Sequence, residues 1–223
     1  MLTQFRQNTL RLAILVAFAG SFCNIVSARA DTAAVAVQAA GPAIDGFRTA
    51  KFGMTEGQVR NAVQADFKVS AAAITNTENQ LQRTTVLGVQ VPDLVPQGGT
   101  ATISYVFGYQ SHKLIQVNIV WSPEIDPKTT PMMLYQDGES LQQYFASEGF
   151  PANRSTGNIA TPNGVLLFRA NDAGGNAVLL ILSGTISKNP KDSSTALSPT
   201  TLTLAYAADA LHPDVFQLAK GSF

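Results

Sequence analysis

Period-two alternation between residues 100 and 121 constrains this chain more than any other feature. Ala101, Ile103, Tyr105, Phe107 and Tyr109 share one parity, while Thr100, Thr102, Ser104 and Gly108 take the other. After a short break the pattern returns, with Ile115, Val117, Ile119 and Trp121 against Gln116, Asn118 and Val120. Side chains alternate across a strand, so this spacing predicts two antiparallel strands with one dry face and one wet face. The β-branched run at 84–91 supplies a third strand, and the Pro- and Gly-rich segment 92–99 is the turn before the pair. A one-residue slip would place Gln116 and Asn118 among aromatic side chains, so odd positions must face odd positions. A three-residue loop, Gln110-Ser111-His112, then sets Phe107 opposite Ile115, Tyr105 opposite Val117, Ile103 opposite Ile119 and Ala101 opposite Trp121, with His112 left-handed. The other dry-face register slides by two and brings Ile103 against Trp121. The small Ala101 leaves room for the indole and favours the first.

A one-sided sheet needs a cover, and two helices are written into the sequence. Thr55 is an N-cap, Gln58 three residues later closes a capping box, and Met54 with Val59 forms a hydrophobic staple. Val59, Val63 and Phe67 then line one helix face through about residue 66. Thr130 caps a second helix with Pro131 at its first position. Leu134, Gly138, Leu141 and Phe145 follow on one stripe, Gly138 weakens the middle, and Gly149 is placed to end it. Segment 68–83 is polar, with a helical turn at 71–74. Strands are expected near 158–161, 165–171, 177–183 and 201–207, with a loop at 185–200 and an aperiodic tail beyond. The fold class is therefore α+β: two helix-then-antiparallel-meander units, residues 46–121 and 131–223, packed as one two-lobed domain and joined by a Pro-rich linker at 122–130.

The start of the chain decides its destination. Arg6 and Arg11 precede an uncharged apolar run, and Ala28-Arg29-Ala30 is a small-x-small cleavage site, so residues 1–30 read as a signal peptide. The apolar run is short of the roughly 20 residues of a membrane span. Phe22 before Cys23 departs from a lipidation site. Mature protein begins at Asp31 with an Ala-rich flexible leader over 31–45, and is periplasmic or secreted without stable membrane insertion. Setting aside Arg6, Arg11 and Arg29 from 15 basic residues leaves 12 against 15 acids, a net charge of −3. That balance excludes phosphate-backbone binding, so no nucleic-acid partner is expected. The mature chain has no cysteine, which removes disulfides, thiolate metal sites and cysteine nucleophiles.

The opening F-G-M-T-x-x-x-V, Phe52 to Val59, starting a helix before a small antiparallel sheet, resembles the β-lactamase-inhibitor-protein-like superfamily, which includes small outer-membrane-assembly lipoproteins. The chain also resembles uncharacterised secreted alphaproteobacterial proteins that begin G-F-R-x-A-x-F-G-M-T. The superfamily resemblance implies an extracytoplasmic, non-enzymatic protein that binds other proteins through its sheet. The first helix lacks that family's Leu-Gly-x-Pro turn, and the second half has no G-M-T, so no family binding residue carries over.

Catalytic signatures are absent from the sequence. His112 and His212 stand in no metal-binding pair, and Asp209, His212 and Asp214 read as a solvated C-terminal turn rather than a metal site. No G-x-S-x-G elbow or phosphate loop occurs. No catalytic residue, no metal and no cofactor is expected. It is a binding or scaffold protein whose wet face, Thr100, Thr102, Ser104, Gln116 and Asn118, meets another envelope protein. The alternative is a hydrolase or small-ligand binder with its site in the cleft between the two units.

Overall fold

The computed structural model describes residues 41–188, 195–218 and 221. The expected signal peptide, most of the 31–45 leader and the centre of the 185–200 loop lie outside those residues. In chain order the elements are β1 (Gly46–Phe47), β2 (Ala50–Lys51), α1 (Glu56–Phe67), β3 (Thr75–Asn79), β4 (Thr84–Pro92), β5 (Thr100–Phe107), β6 (Leu114–Trp121), α2 (Pro131–Ser147), β7 (Ser155–Thr156), β8 (Ile159–Thr161), β9 (Gly164–Asn171), β10 (Ala177–Lys188) and β11 (Thr195–Ala207). Strands β3 to β11 form one antiparallel sheet in the order β3-β4-β5-β6-β11-β10-β9-β7, with β8 also paired to β9. Among the described residues the α+β class is thus two α-helices and a nine-stranded sheet, with β1 and β2 as a separate hairpin and one 3-10 turn at Ala71–Ala73.

Helix starts follow the sequence closely. Thr55 Oγ1 accepts from Gln58 N, and Gln58 Oε1 accepts from Thr55 N at 2.9 Å, so the capping box is complete. Lys68, left-handed at φ 56°, ends α1. Thr130 caps α2, and Gly149 follows it at φ 81°. Gly138 is more than a weak spot. A Cβ there would lie 2.8 Å from Leu167 Cδ1 and 3.4 Å from Leu202 Cδ1, so the missing side chain lets α2 approach β9 and β11 closely. Val59 and Val63 of α1, and Leu134 and Phe145 of α2, join Leu87, Ile103, Tyr105, Val117, Trp121, Val178 and Leu202 in one core on one face of the sheet.

The central hairpin keeps odd-to-odd pairing, with Ile103 opposite Ile119 and Tyr105 opposite Val117. The expected Phe107–Ile115 pair does not form. Val106 faces Gln116 and Phe107 faces Leu114, so Ile115 is the extra residue of a bulge. The bulge leaves Leu114 free to bond the helix-entry segment: Gly53 N donates to Leu114 O and Leu114 N donates to Met54 O, both at 2.9 Å. His112 is left-handed, φ 51°, as the short turn demands.

Three other expectations change. Four strands follow α1, because polar Thr75–Asn79 pairs with β4 as an edge strand. Strands β10 and β11 extend through most of the segment expected to be a loop, with Pro199 opposite Gly184 where the register shifts. A proline is tolerated at such a bulge. The end of the leader is pinned: Ile44 is buried, its N–H donates to Asp172 Oδ2 at 2.9 Å, and its carbonyl accepts from Asn176 Nδ2 at 2.8 Å.

Candidate functional site

Both helices and the β1–β2 hairpin pack on the sheet face that carries Tyr105 and Tyr206; Phe47, for example, lies 5.7 Å from the Tyr206 ring. The five residues read as a wet face, Thr100, Thr102, Ser104, Gln116 and Asn118, have the opposite parity and are half-buried. The pairing brings them together on adjacent strands: Ser104 is opposite Asn118, and Gln116 Nε2 donates to Asn118 Oδ1 at 2.7 Å. Thr100 stands at the end of β5, where its N–H donates to Asp126 Oδ2 at 3.0 Å. Backbone donors from Lys128 and Thr100 hold the Asp126 carboxyl below its ordinary pKa.

Ladder registers extend this face from β4 to β9. One row runs Gly88, Ser104, Asn118, Ala205, Leu179, Arg169; the next runs Gln90, Thr102, Val120, Thr203, Ile181, Leu166. The third runs Val86, Val106, Gln116, Ala207, Ala177, Asn171. The polar patch on β5 and β6 therefore continues into an apolar centre, where Val120, Thr203, Ala205 and Leu179 are buried. Val120 shares the parity of Gln116 and Asn118, but Thr203, Ala205 and Leu179 could not be placed beside it from the sequence, because the join of β6 to β11 spans about eighty residues. Among these described positions there is no Asp, Glu or Lys, and one Arg. Arg169 Nη2 donates to Asn171 Oδ1 at 3.5 Å, and burial lowers its pKa.

A cavity of about 300 Å³ lies elsewhere, between α2 and the β7–β8 edge. Phe145 and Phe168 stack at 5.5 Å and 17°, and Phe150 lies 5.9 Å from Phe168. Gln142, Ser155, Thr156, Gly157 and Asn158 supply its polar wall. No local motif marked these residues, because the helix, the broken edge strand and β9 each contribute a part.

Candidate metal ligands do not converge. His212 Nδ1 lies 3.2 Å from Asp209 Oδ1, both exposed, whereas Asp214 accepts from Gln110 N and Ser111 N at 3.0 and 2.9 Å. No group of three or more His, Cys, Asp or Glu side chains able to hold a metal occurs among the described residues. No helix among them is long and apolar enough to cross a membrane. No family model, curated protein or solved structure matches the chain.

Proposed function

We propose that the chain is an exported, non-enzymatic binding protein that engages another envelope protein through the sheet face opposite its helices. The observation that carries this reading is the composition of that face. Its accessible positions in three central rows combine uncharged hydrogen-bonding side chains, Gln90, Thr102, Ser104, Gln116 and Asn118, with Arg169 and no Asp, Glu or Lys, around a centre of Val120, Thr203, Ala205 and Leu179 that is already buried within the chain. Protein interfaces are depleted in Lys, Glu and Asp and enriched in Arg at their centres, because unpaired charges are costly to desolvate and a guanidinium is more weakly hydrated than an ammonium. On this reading the helix-plus-meander units, residues 46–121 and 131–223, are the two lobes of one domain and share the binding face. Residues 1–30 direct export, and the helix-start resemblance at Phe52 to Val59 agrees with an extracytoplasmic binder.

The test is photo-crosslinking in the intact envelope, with a photoreactive residue replacing Thr102 or Gln116 and, as a control, exposed Gln80 of the β3–β4 turn. The same protein adduct is expected from both face positions and not from the control. Adducts from the control alone, or none from either face position, would overturn the reading.

A further inference from the structure

The interrupted sheet edge explains the cavity beside α2. Thr156 faces Arg169 and Ile159 faces Leu166, so neither β7 nor β8 pairs with the two β9 residues between, Leu167 and Phe168. Gln142 reaches down from α2 and fills the gap: its Nε2 donates to Leu167 O at 2.8 Å and to Asn158 Oδ1 at 2.9 Å. A carbonyl can only accept, so these contacts fix both amides. Gln142 Oε1 is left to accept, and Asn158 Nδ2 is left to donate. At Gly157 a Cβ would collide with Leu167 O, so this stretch of backbone lies directly on β9 and the wall is thin. Every lining side chain is uncharged.

We propose that this cavity binds a small neutral ring compound bearing a carboxamide or lactam edge. The ring lies against the Phe145, Phe150 and Phe168 side chains, while its amide donates to Gln142 Oε1 and accepts from Asn158 Nδ2. A cavity of about 300 Å³ stands at the lower end of ligand pockets, which suits one ring and not an extended chain. A charged analogue is disfavoured because no counter-charge lines the site. The site is separate from the opposite sheet face and stands or falls without it.

Benzamide is the probe, with benzoate and benzylammonium as charged analogues of similar shape, titrated into the ¹⁵N-labelled exported chain and followed by NMR. Benzamide is expected to saturate with a millimolar Kd, to shift the side-chain amides of Gln142 and Asn158, and to bind about tenfold more tightly than either ion. Ala146→Trp, at an exposed lining position on α2, is expected to abolish the shifts while leaving the amide spectrum folded. Asn158→Gly keeps the left-handed backbone, φ 56°, while removing the donor, and is expected to weaken benzamide about tenfold. Benzoate binding as well as benzamide, shifts that avoid the cavity, or undiminished binding by either variant would overturn the assignment.

Discussion

Asp137 is the one carboxylate among the described residues that is buried. It lies within α2, is only 6% exposed, and its Oδ2 has no hydrogen-bond partner. Gly98 backs directly onto it, since a Cβ there would lie 2.6 Å from Oδ2 and 3.0 Å from Oδ1. Burial raises its pKa from 3.8 to about 6, because the charged form loses solvation. Between those values the folded state holds a proton that the unfolded state has released, so rising pH through that window removes stability. The loss is at most about 3 kcal/mol. Asp137→Asn stays neutral throughout. Urea melts at pH 4 and pH 7.5 are expected to show wild type losing stability relative to the variant as pH rises, with the variant the more stable at pH 7.5. Parallel curves would show that Asp137 is well solvated in both states.

Elements explain both what was legible in the sequence and what was not. Gly138 illustrates the difference: helix propensity reads it as a defect, while its contacts read it as clearance. Alanine would gain about 1 kcal/mol of propensity but must push aside the end of Leu167, and valine would add bulk against both Leu167 and Leu202. Thermal melts are therefore expected to place Gly138→Ala near wild type and Gly138→Val lower by about 2 kcal/mol. A Val variant as stable as wild type would mean that α2 can lift from the sheet at no cost. Caps and alternation were legible because they are local: Thr55 with Gln58, Thr130 with Pro131, and odd-numbered Ile103, Tyr105, Val117 and Ile119 all behave as their spacing demands. The hairpin bulge was not, because Leu114 answers to Gly53 and Met54, sixty residues away. The hydrogen-bonding half of the candidate face was likewise readable from parity. Its apolar half required knowing that β6 pairs with β11.

At the scale of the whole molecule, the aperiodic tail has a structural role that sequence periodicity could not express. Residues 208–218 run along the turns at one end of the sheet. Ala210 N donates to Gly175 O at 3.2 Å, Tyr109 N to Asp214 O at 2.9 Å, and Phe216 N to Gln82 O at 2.9 Å, so three turns far apart in the chain are tied by one strap. Phe216 packs edge-on to Tyr109 at 5.5 Å, with Arg83 3.7 Å from its ring. Asp214 is the middle clasp. Burial opposes its charge, but bonds from the Ser111 hydroxyl and from the Gln110 and Ser111 N–H groups, with His112 nearby, outweigh that and lower its pKa. Its contribution is thus present above the ordinary carboxylate range and lost as pH falls through its depressed value, the reverse of Asp137. Asp214→Ala removes the two backbone bonds together with the Ser111 hydroxyl bond and is expected to cost about 1–3 kcal/mol. If the strap acts as a unit, hydrogen exchange in this variant will quicken at Gln110 and Ser111, and also at Phe216 and Ala210, which the substitution does not touch. Faster exchange confined to residues 109–112 would reduce the strap to three independent contacts.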